Sequence, residues 1–281
     1  MVATTAETLS VNGVNLNTLA KNISSLTGRL RAPAARTENA IIPGMHGELW
    51  IPNKKYQANT ITLPMWVEGC DDDGGIPAES TRRREFFKNV NALVSLFKAP
   101  GLLDVRWTKA DGQVRQCFAE ATDVFDFTTD SEGLARVGVV LTIPGAFWQD
   151  VNQTTQAWTG NLATVSATSF VGGSAPIENT IIELKGPWTN PQVVFPDGSW
   201  VMYSAALTSA QTLIIDSGEW DLTGVGGLTP DFTKLTHDGA DAYWGALPAA
   251  PSAAPTITLN GTARTSATSF TLRGRRKYLI G

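Results

Sequence analysis

Residues 41–52 read IIPGMHGELWIP, with strand-like segments on either side of a proline–glycine pair. Pro43 fixes φ and Gly44 permits a positive φ, so the pair predicts a tight turn. Gly47 indicates a bulge or a close backbone approach shortly after that turn. The segment as a whole therefore predicts β structure.

Residues 59–68 read NTITLPMWVE and continue the β pattern. Apolar residues alternate from Ile61 to Val67, with Thr62, Pro64 and Trp66 on the opposite face, which is the period of a half-buried strand. Proline cannot donate to a sheet ladder. We therefore expect this strand to lie at a sheet edge or to carry a bulge at Pro64.

Residues 80–97 form the one segment with a clear helical pattern. The apolar residues fall on one stripe at 4-3-4 spacing and are Phe86, Val90, Leu93 and Phe97. Ser80 or Thr81 is expected to cap the start, and Pro100-Gly101 ends the helix. We expect the stripe to pack on a sheet of the same domain.

The other strand and turn signals predict a mainly β protein with two domains. Asn12-Gly13 and Asp111-Gly112 indicate hairpins before and after the helix. A break at Pro144-Gly145, followed by a polar run with few charges, indicates a domain boundary. We expect an N-terminal β-sandwich or barrel-like domain with one helix over residues 1–149, and a C-terminal β-sandwich over residues 150–281. The turns expected in the second domain are Asp197-Gly198, Ser217-Gly218 and Asn260-Gly261.

This order of elements carries a family resemblance. A strand with an Asn-Gly turn, the Pro-Gly-x-x-Gly segment at residues 43–47, an alternating strand, an amphipathic helix and a β-meander together resemble the distal tail proteins of long-tailed bacteriophages. In the second half the resemblance rests on the stretch from Pro176 to Gly186, the strand that ends at Asp216 and the closing stretch from Arg275 to Leu279. It implies a galectin-like C-terminal sandwich, where the term names a fold and not sugar binding.

The resemblance implies a structural virion protein of the tail tip, and not an enzyme. It implies a homo-hexameric ring that connects the tail tube protein to the tail-tip or baseplate proteins. The N-terminal domains would surround a passage through which DNA slides without specific binding. Synthesis is expected in the cytoplasm of the bacterial host, with no cofactor and no membrane insertion.

A ring needs two different patches on each subunit, because its contacts are head-to-tail. We expect one patch at Pro43, Gly44, His46, Gly47 and Trp50. We expect the other at the start of the helix, at Arg82, Arg83 and Arg84. Cations in a first helical turn oppose the macrodipole. These arginines therefore either face acidic groups, on Asp71–Asp73 or on another subunit, or lie exposed in solvent at a small cost.

The composition narrows the classes of function. Charged residues make up 17% of the chain, and the formal net charge is −4 with a pI of about 5.3. A large basic face for nucleic acid is therefore not favoured. The low charge content fits either a surface hidden in an assembly or an ordinary neutral β protein. The start of the chain has no signal-peptide pattern, and no run has the composition of a membrane span.

No arrangement of reactive residues points to an enzyme or a metal site. His46 and His237 lack metal-ligand spacing, and Asp71–Asp73 lacks the alternation of a calcium loop. Cys70 and Cys117 make neither a disulfide framework nor a zinc site. Cys117 with one histidine would make a nucleophilic pair, but a structural thiol inside a strand is the other interpretation.

The alternative function is a carbohydrate-binding adhesion module for the host cell surface. The chain has nine tryptophans, and those in the second half include Trp188, Trp200, Trp220 and Trp244. Exposed aromatic rings can stack on sugars, whereas buried tryptophans serve cores and interfaces. Both interpretations stay open at the level of the sequence.

Overall fold

The computed structural model describes residues 7–23, 32–35, 55–122, 127–238 and 245–281. The chain is mainly β, with antiparallel sheets, as the sequence predicts. It divides into two compact units. The first comprises Met1–Trp148 with Leu279–Gly281, and the second comprises Gln149–Tyr278.

The first unit consists of one curled antiparallel sheet and α1, which is the one α-helix within the described residues. In chain order its elements are β1 (Thr8–Val11), β2 (Val14–Asn15), β3 (Lys21–Ile23), β4 (Asn59–Glu68), α1 (Glu79–Phe97), β5 (Leu103–Thr108), β6 (Val114–Ala121), β7 (Phe127–Ser131) and β8 (Leu134–Ile143). The strand order is β2-β1-β5-β6-β8-β4-β3, and β7 also pairs with β8. The strand β9 (Trp148–Asp150) follows β8 at the junction between the units.

The first hairpin confirms the Asn-Gly prediction. Val11 faces Val14 across the turn, and Asn12 and Gly13 have φ values of 49° and 79°. Positive φ at both central residues is the geometry of a type I′ turn, which matches the twist of the two strands. β1 then uses its second edge to pair with β5, where Leu9 lies opposite Trp107.

The strand β4 alternates between core and surface as predicted. Its buried face includes Ile61, Leu63, Met65 and Val67, each at most 2% exposed. β4 pairs along its whole length with β8, and β3 pairs with Met65–Val67 on the other side. The prediction of an edge strand is therefore wrong for that segment. Pro64 lies opposite Gly138 of β8, and the β4–β8 ladder runs past it without a bulge.

The helix α1 confirms the predicted stripe but not the predicted cap. Phe86, Leu93 and Phe97 are buried, Val90 is half-buried, and the helix packs against β4. The helix starts at Glu79, and Ala78 is the N-cap residue with no side-chain cap. Thr81 instead donates its hydroxyl to the carbonyl of Ala78 at 2.7 Å. The local loop geometry therefore starts the helix earlier than Ser80 or Thr81 would.

The last three residues return to the first unit. Arg115 Nη1 donates to the carbonyl of Ile280 at 2.7 Å. Gly281 lies against Trp148 and Trp107, whose rings meet edge to face at 6.2 Å between centroids. A Cβ at Gly281 would lie 2.9 Å from Trp148 Cε2, so only a glycine fits without movement.

The second unit is a sandwich of two antiparallel sheets. Its further strands are β10 (Thr154–Thr159), β11 (Thr164–Ser166), β12 (Ile181–Lys185), β13 (Trp188–Val194), β14 (Trp200–Tyr203), β15 (Ala206–Leu207), β16 (Thr212–Asp216), β17 (Asp221–Val225), β18 (Leu235–His237), β19 (Thr256–Thr262), β20 (Ser269–Gly274) and β21 (Lys277–Tyr278). Two 3₁₀ turns cover Thr168–Phe170 and Phe232–Lys234. One sheet has the order β10-β20-β12-β16-β17, and the other has the order β11-β19-β13-β14-β18 with β15 beside β13.

The core of the second unit lies between these two sheets. One sheet contributes Ile182, Leu184, Leu213, Ile215, Phe270 and Leu272, and the other contributes Trp188, Val193, Val201, Tyr203, Ile257 and Leu259. Such alternation of buried and outward residues is the pattern of a β-sandwich. Asn260-Gly261, predicted as a turn, lies inside β19. Trp188 Nε1 donates to the carbonyl of Asn260 at 2.9 Å, and a Cβ at Gly261 would lie 2.5 Å from that nitrogen.

Candidate functional site

The predicted contact residues fall into two groups. Pro43, Gly44, His46, Gly47 and Trp50 lie outside the described residues. Arg82, Arg83 and Arg84 lie on α1, four to six residues into the helix because it starts at Glu79. They are therefore past most of the first turn, where the macrodipole is strongest, and the acidic Glu79 occupies that turn instead.

Arg82 is fixed within its own subunit. Its Nη2 donates to Glu68 Oε1 at 3.0 Å, so the last residue of β4 and the start of α1 form an ion pair. Two glycines make this possible. A Cβ at Gly69 would lie 2.5 Å from the carbonyl oxygen of Arg82, and a Cβ at Gly133 would lie 2.8 Å from its Nε. The backbone of these glycines also pairs, with Gly69 N donating to Gly133 O at 2.9 Å.

Arg83 and Arg84 are exposed and carry the positive charge of this end of the helix. The Arg83 guanidinium carbon lies 5.9 Å from the centroid of the Phe87 ring. Phe87 is 50% exposed, which is unusual for a large aromatic side chain on a helix. Cation and aromatic ring therefore lie together on the surface, a combination that is enriched at protein–protein contacts.

Asp71–Asp73 was one of the alternatives expected to face the arginines, but Asp71 and Asp72 bind other groups. Asp72 Oδ1 accepts a hydrogen bond from Lys21 at 3.1 Å and another from Thr18 at 2.9 Å. Partial desolvation raises the pKa of Asp72, but these two hydrogen bonds and the charges of Lys21 and Lys88 together outweigh it, and the net pKa is lowered. Asp71 Oδ1 accepts from the backbone of Asp73 and Gly75, so the run closes its own loop.

A polar recess of about 300 Å³ opens between the start of α1 and the turn from β7 to β8. Its lining residues are Glu79, Arg82, Arg83, Ser131, Glu132 and Gly133. The recess therefore carries both signs of charge at its mouth. A partner with a mixed-charge loop would complement it better than a simple anion.

A wider groove of about 580 Å³ lies on the outward face of β4 and β8, and it begins next to this recess. Its floor is largely apolar, with Pro64 opposite Gly138 and Trp66 opposite Arg136. Arg136 is tied to Asp130 at 2.7 Å. Glu68 lines the groove and also binds Arg82, so the groove and the arginine end form one continuous surface.

The two cysteines do not have the environment of a nucleophile. Burial, with a smaller effect of the Asp104 charge, raises the pKa of Cys117 far above its usual range. Burial and the neighbouring Glu68 carboxylate also raise the pKa of Cys70, whose Sγ lies 3.3 Å from the carbonyl of Leu19. A reactive cysteine needs a lowered pKa. Both are free thiols in the described structure.

In the part of the chain that the structure describes, no three His, Cys, Asp or Glu side chains come close enough together to hold a metal ion. In the same residues, no helix has the length and apolar character required to span a bilayer.

The four tryptophans named as candidates for stacking on sugars have different environments. Trp188 is buried in the core, Trp200 is half-buried on an outward face and Trp220 is 46% exposed in the turn after β16. Trp244 lies outside the described residues. No single interpretation of these tryptophans therefore holds for all of them.

Comparison by sequence finds no match, either to a protein-family model or to a curated protein. Comparison by structure finds solved proteins that share this fold. One of them is the SPP1 Dit (gp 19.1) protein, described as a paradigm of the hub adsorption apparatus in phages that infect Gram-positive bacteria. The TM-score is 0.64 at 13% sequence identity, and the match covers 96% of this chain and 99% of that one. The likeness in fold confirms the resemblance inferred from the order of elements.

Proposed function

We propose that this chain is a structural component of a bacteriophage tail tip, a hub that joins the tail tube protein to the tail-tip proteins. The observation that carries the proposal is the match in fold to the SPP1 hub protein over 96% of the chain. The raised pKa values of the Cys70 and Cys117 thiols fit a protein that works by assembly rather than by nucleophilic catalysis.

The hub assembles as a homo-hexameric ring, and residues 1–149 form the ring. The exposed pair Arg83 and Arg84, with Phe87 and the adjacent groove, forms one contact patch of each subunit. The complementary patch of the neighbouring copy includes Pro43, Gly44, His46, Gly47 and Trp50. DNA passes through the ring without specific binding, which accords with a net charge of −4. The second unit is a galectin-like sandwich that decorates the outside.

Light scattering coupled to size exclusion tests the assembly with the full-length chain. We expect a mass of six subunits, and rings with a central opening in negative-stain images. The double reversal Arg83→Glu/Arg84→Glu should lower the mass, because it reverses the charge of one patch only. Lys98→Glu, at the other end of the same helix, is the matched control and should leave the mass unchanged. A full-length chain that stays monomeric at high concentration would contradict the ring.

A further inference from the structure

The six-stranded sheet of the second unit has His237 as its one basic side chain. Its strands β11, β13, β14, β15, β18 and β19 contain no Asp, Glu, Lys or Arg. The outward positions of the opposite sheet, in contrast, hold Glu183, Lys185, Asp216, Asp221 and Arg273. The two outer faces of the sandwich therefore differ in their content of charged side chains. Only the five-stranded sheet has the charged surface that is ordinary for a soluble protein.

The neutral face has a pair of amide side chains at its centre. Gln192 on β13 lies opposite Asn260 on β19 and opposite Met202 on β14. Asn260 Nδ2 donates to Gln192 Oε1 at 2.9 Å. Each amide has two N–H donors and an acceptor oxygen, so this one bond leaves both donors and acceptors able to bind a ligand.

The next row of the face places an indole beside these amides. Val194 lies opposite Trp200 on β14 and opposite Thr258 on β19, and Thr258 in turn faces Thr164 on β11. Val193 and Val201 alternate with these residues along β13 and β14 and are fully buried. Gln192, Val194 and Trp200 therefore point outward. Trp200 is half-buried, with part of its ring at the surface. Hydroxyls, amides and an aromatic ring thus lie within neighbouring strands, about 5 Å apart.

This combination selects an uncharged polyhydroxyl ligand. A sugar hydroxyl both donates and accepts, which matches amides and threonines, and the C–H face of a sugar ring packs against an indole. A polyanion would need cations, which these strands do not supply. We propose that Gln192, Asn260, Thr258, Val194 and Trp200, the amide–indole face, bind a neutral oligosaccharide. This is a function beyond the hub role, and it does not depend on it.

A printed array of neutral oligosaccharides, probed with the labelled full-length protein, is the first test. The sugar that binds best is then titrated by calorimetry against variants. We expect Gln192→Ala and Asn260→Ala each to weaken binding by about tenfold, because each removes hydrogen bonds made in a partly desolvated site. Thr271→Ala, at an outward position of the opposite sheet, is the matched control and should bind as the unchanged protein does.

Three results would overturn the proposal. The first is no binding to any neutral sugar on the array, and the second is binding that neither amide variant weakens although both keep the melting temperature of the unchanged protein. The third is a concentration-dependent mass that Asn260→Ala abolishes, since the face would then contact a second copy of the chain. The hub role is judged separately by ring formation, so failure of one proposal leaves the other standing.

Discussion

Gly69 and Gly133 both lie against Arg82. A side chain added at Gly69 should destabilise the protein more than one added at Gly133. A Cβ at Gly69 would meet the Arg82 carbonyl at 2.5 Å, a backbone atom inside a helix, whereas a Cβ at Gly133 would meet the end of a flexible side chain. We expect Gly69→Ala to lower the unfolding free energy by about 1–3 kcal/mol, as overpacking does. Gly133→Ala should cost about 1 kcal/mol or less, the value of a partly exposed ion pair.

Gly138→Ala is the control for both glycine variants. Nothing lies within 4 Å of a Cβ at this position of β8. The alanine should leave stability unchanged or raise it by about 0.4–1 kcal/mol through the entropy of the unfolded chain. Urea denaturation followed by tryptophan fluorescence measures all three. Equal costs for Gly69→Ala and Gly133→Ala would contradict this account of how Arg82 is held.

We expect the free energy of unfolding to depend on pH in the alkaline range because of Cys117. Burial raises the pKa of its thiol in the folded state, while the unfolded chain keeps the usual value of about 8.5. The folded state therefore binds the proton more tightly, and this contribution to stability is complete below pH 8.5. It declines as pH rises further, by up to about 1.4 kcal/mol per pH unit. Denaturation of the unchanged protein and of Cys117→Ala at pH 7 and above tests this, since the difference between them should shrink with pH.

Phe86 and Phe87 are neighbours on α1 with opposite environments. The substitution of Phe87 is therefore a control for the same substitution at Phe86. Phe86 is 6% exposed and Phe87 is 50% exposed. We expect Phe86→Ala to cost about 3–5 kcal/mol, a large part of a domain's total of about 5–15 kcal/mol. Phe87→Ala should cost less than about 1 kcal/mol, because it removes only surface contacts. A reversed order in the denaturation midpoints would show that the stripe does not face the sheet.

Elements that depend on local sequence were predictable. The hairpin at Asn12-Gly13 and the stripe of α1 follow from turn chemistry and periodicity, which act over a few residues. Pairings between distant strands were not predictable in this way. Nothing near β1 indicates that Leu9 lies opposite Trp107, and Asn260-Gly261 is a turn signal that close packing against Trp188 overrides. The ion pair of Arg82 with Glu68 was not predicted. Gly69 and Gly133 permit it, but in the sequence alone they indicate only loops.

At the scale of the whole molecule, the chain leaves the first unit after Trp148 and returns to it at Leu279. The outgoing and returning segments are neighbours, since Asp150 N donates to the carbonyl of Arg276 at 3.0 Å. Arg276 Nε also binds Asp150 Oδ2 at 2.6 Å, and this contact raises the pKa of the guanidinium. Residues 151–275 can therefore be replaced by a linker of about four glycine and serine residues without moving either end.

This excision tests whether the first unit alone forms the ring. A simple fragment of residues 1–149 is a poorer test, because it also removes Ile280 and Gly281 from their contacts with Arg115 and Trp148. We expect the excised chain to keep the number of subunits of the full-length protein in light scattering. We expect the fragment 1–149 to melt at a lower temperature than the excised chain, because Trp148 loses the backbone packed against it. If the excised chain is folded by circular dichroism yet strictly monomeric while the full-length chain forms rings, the ring contacts belong to the second unit. Equal melting temperatures would show that the returning segment adds nothing to the stability of the first unit.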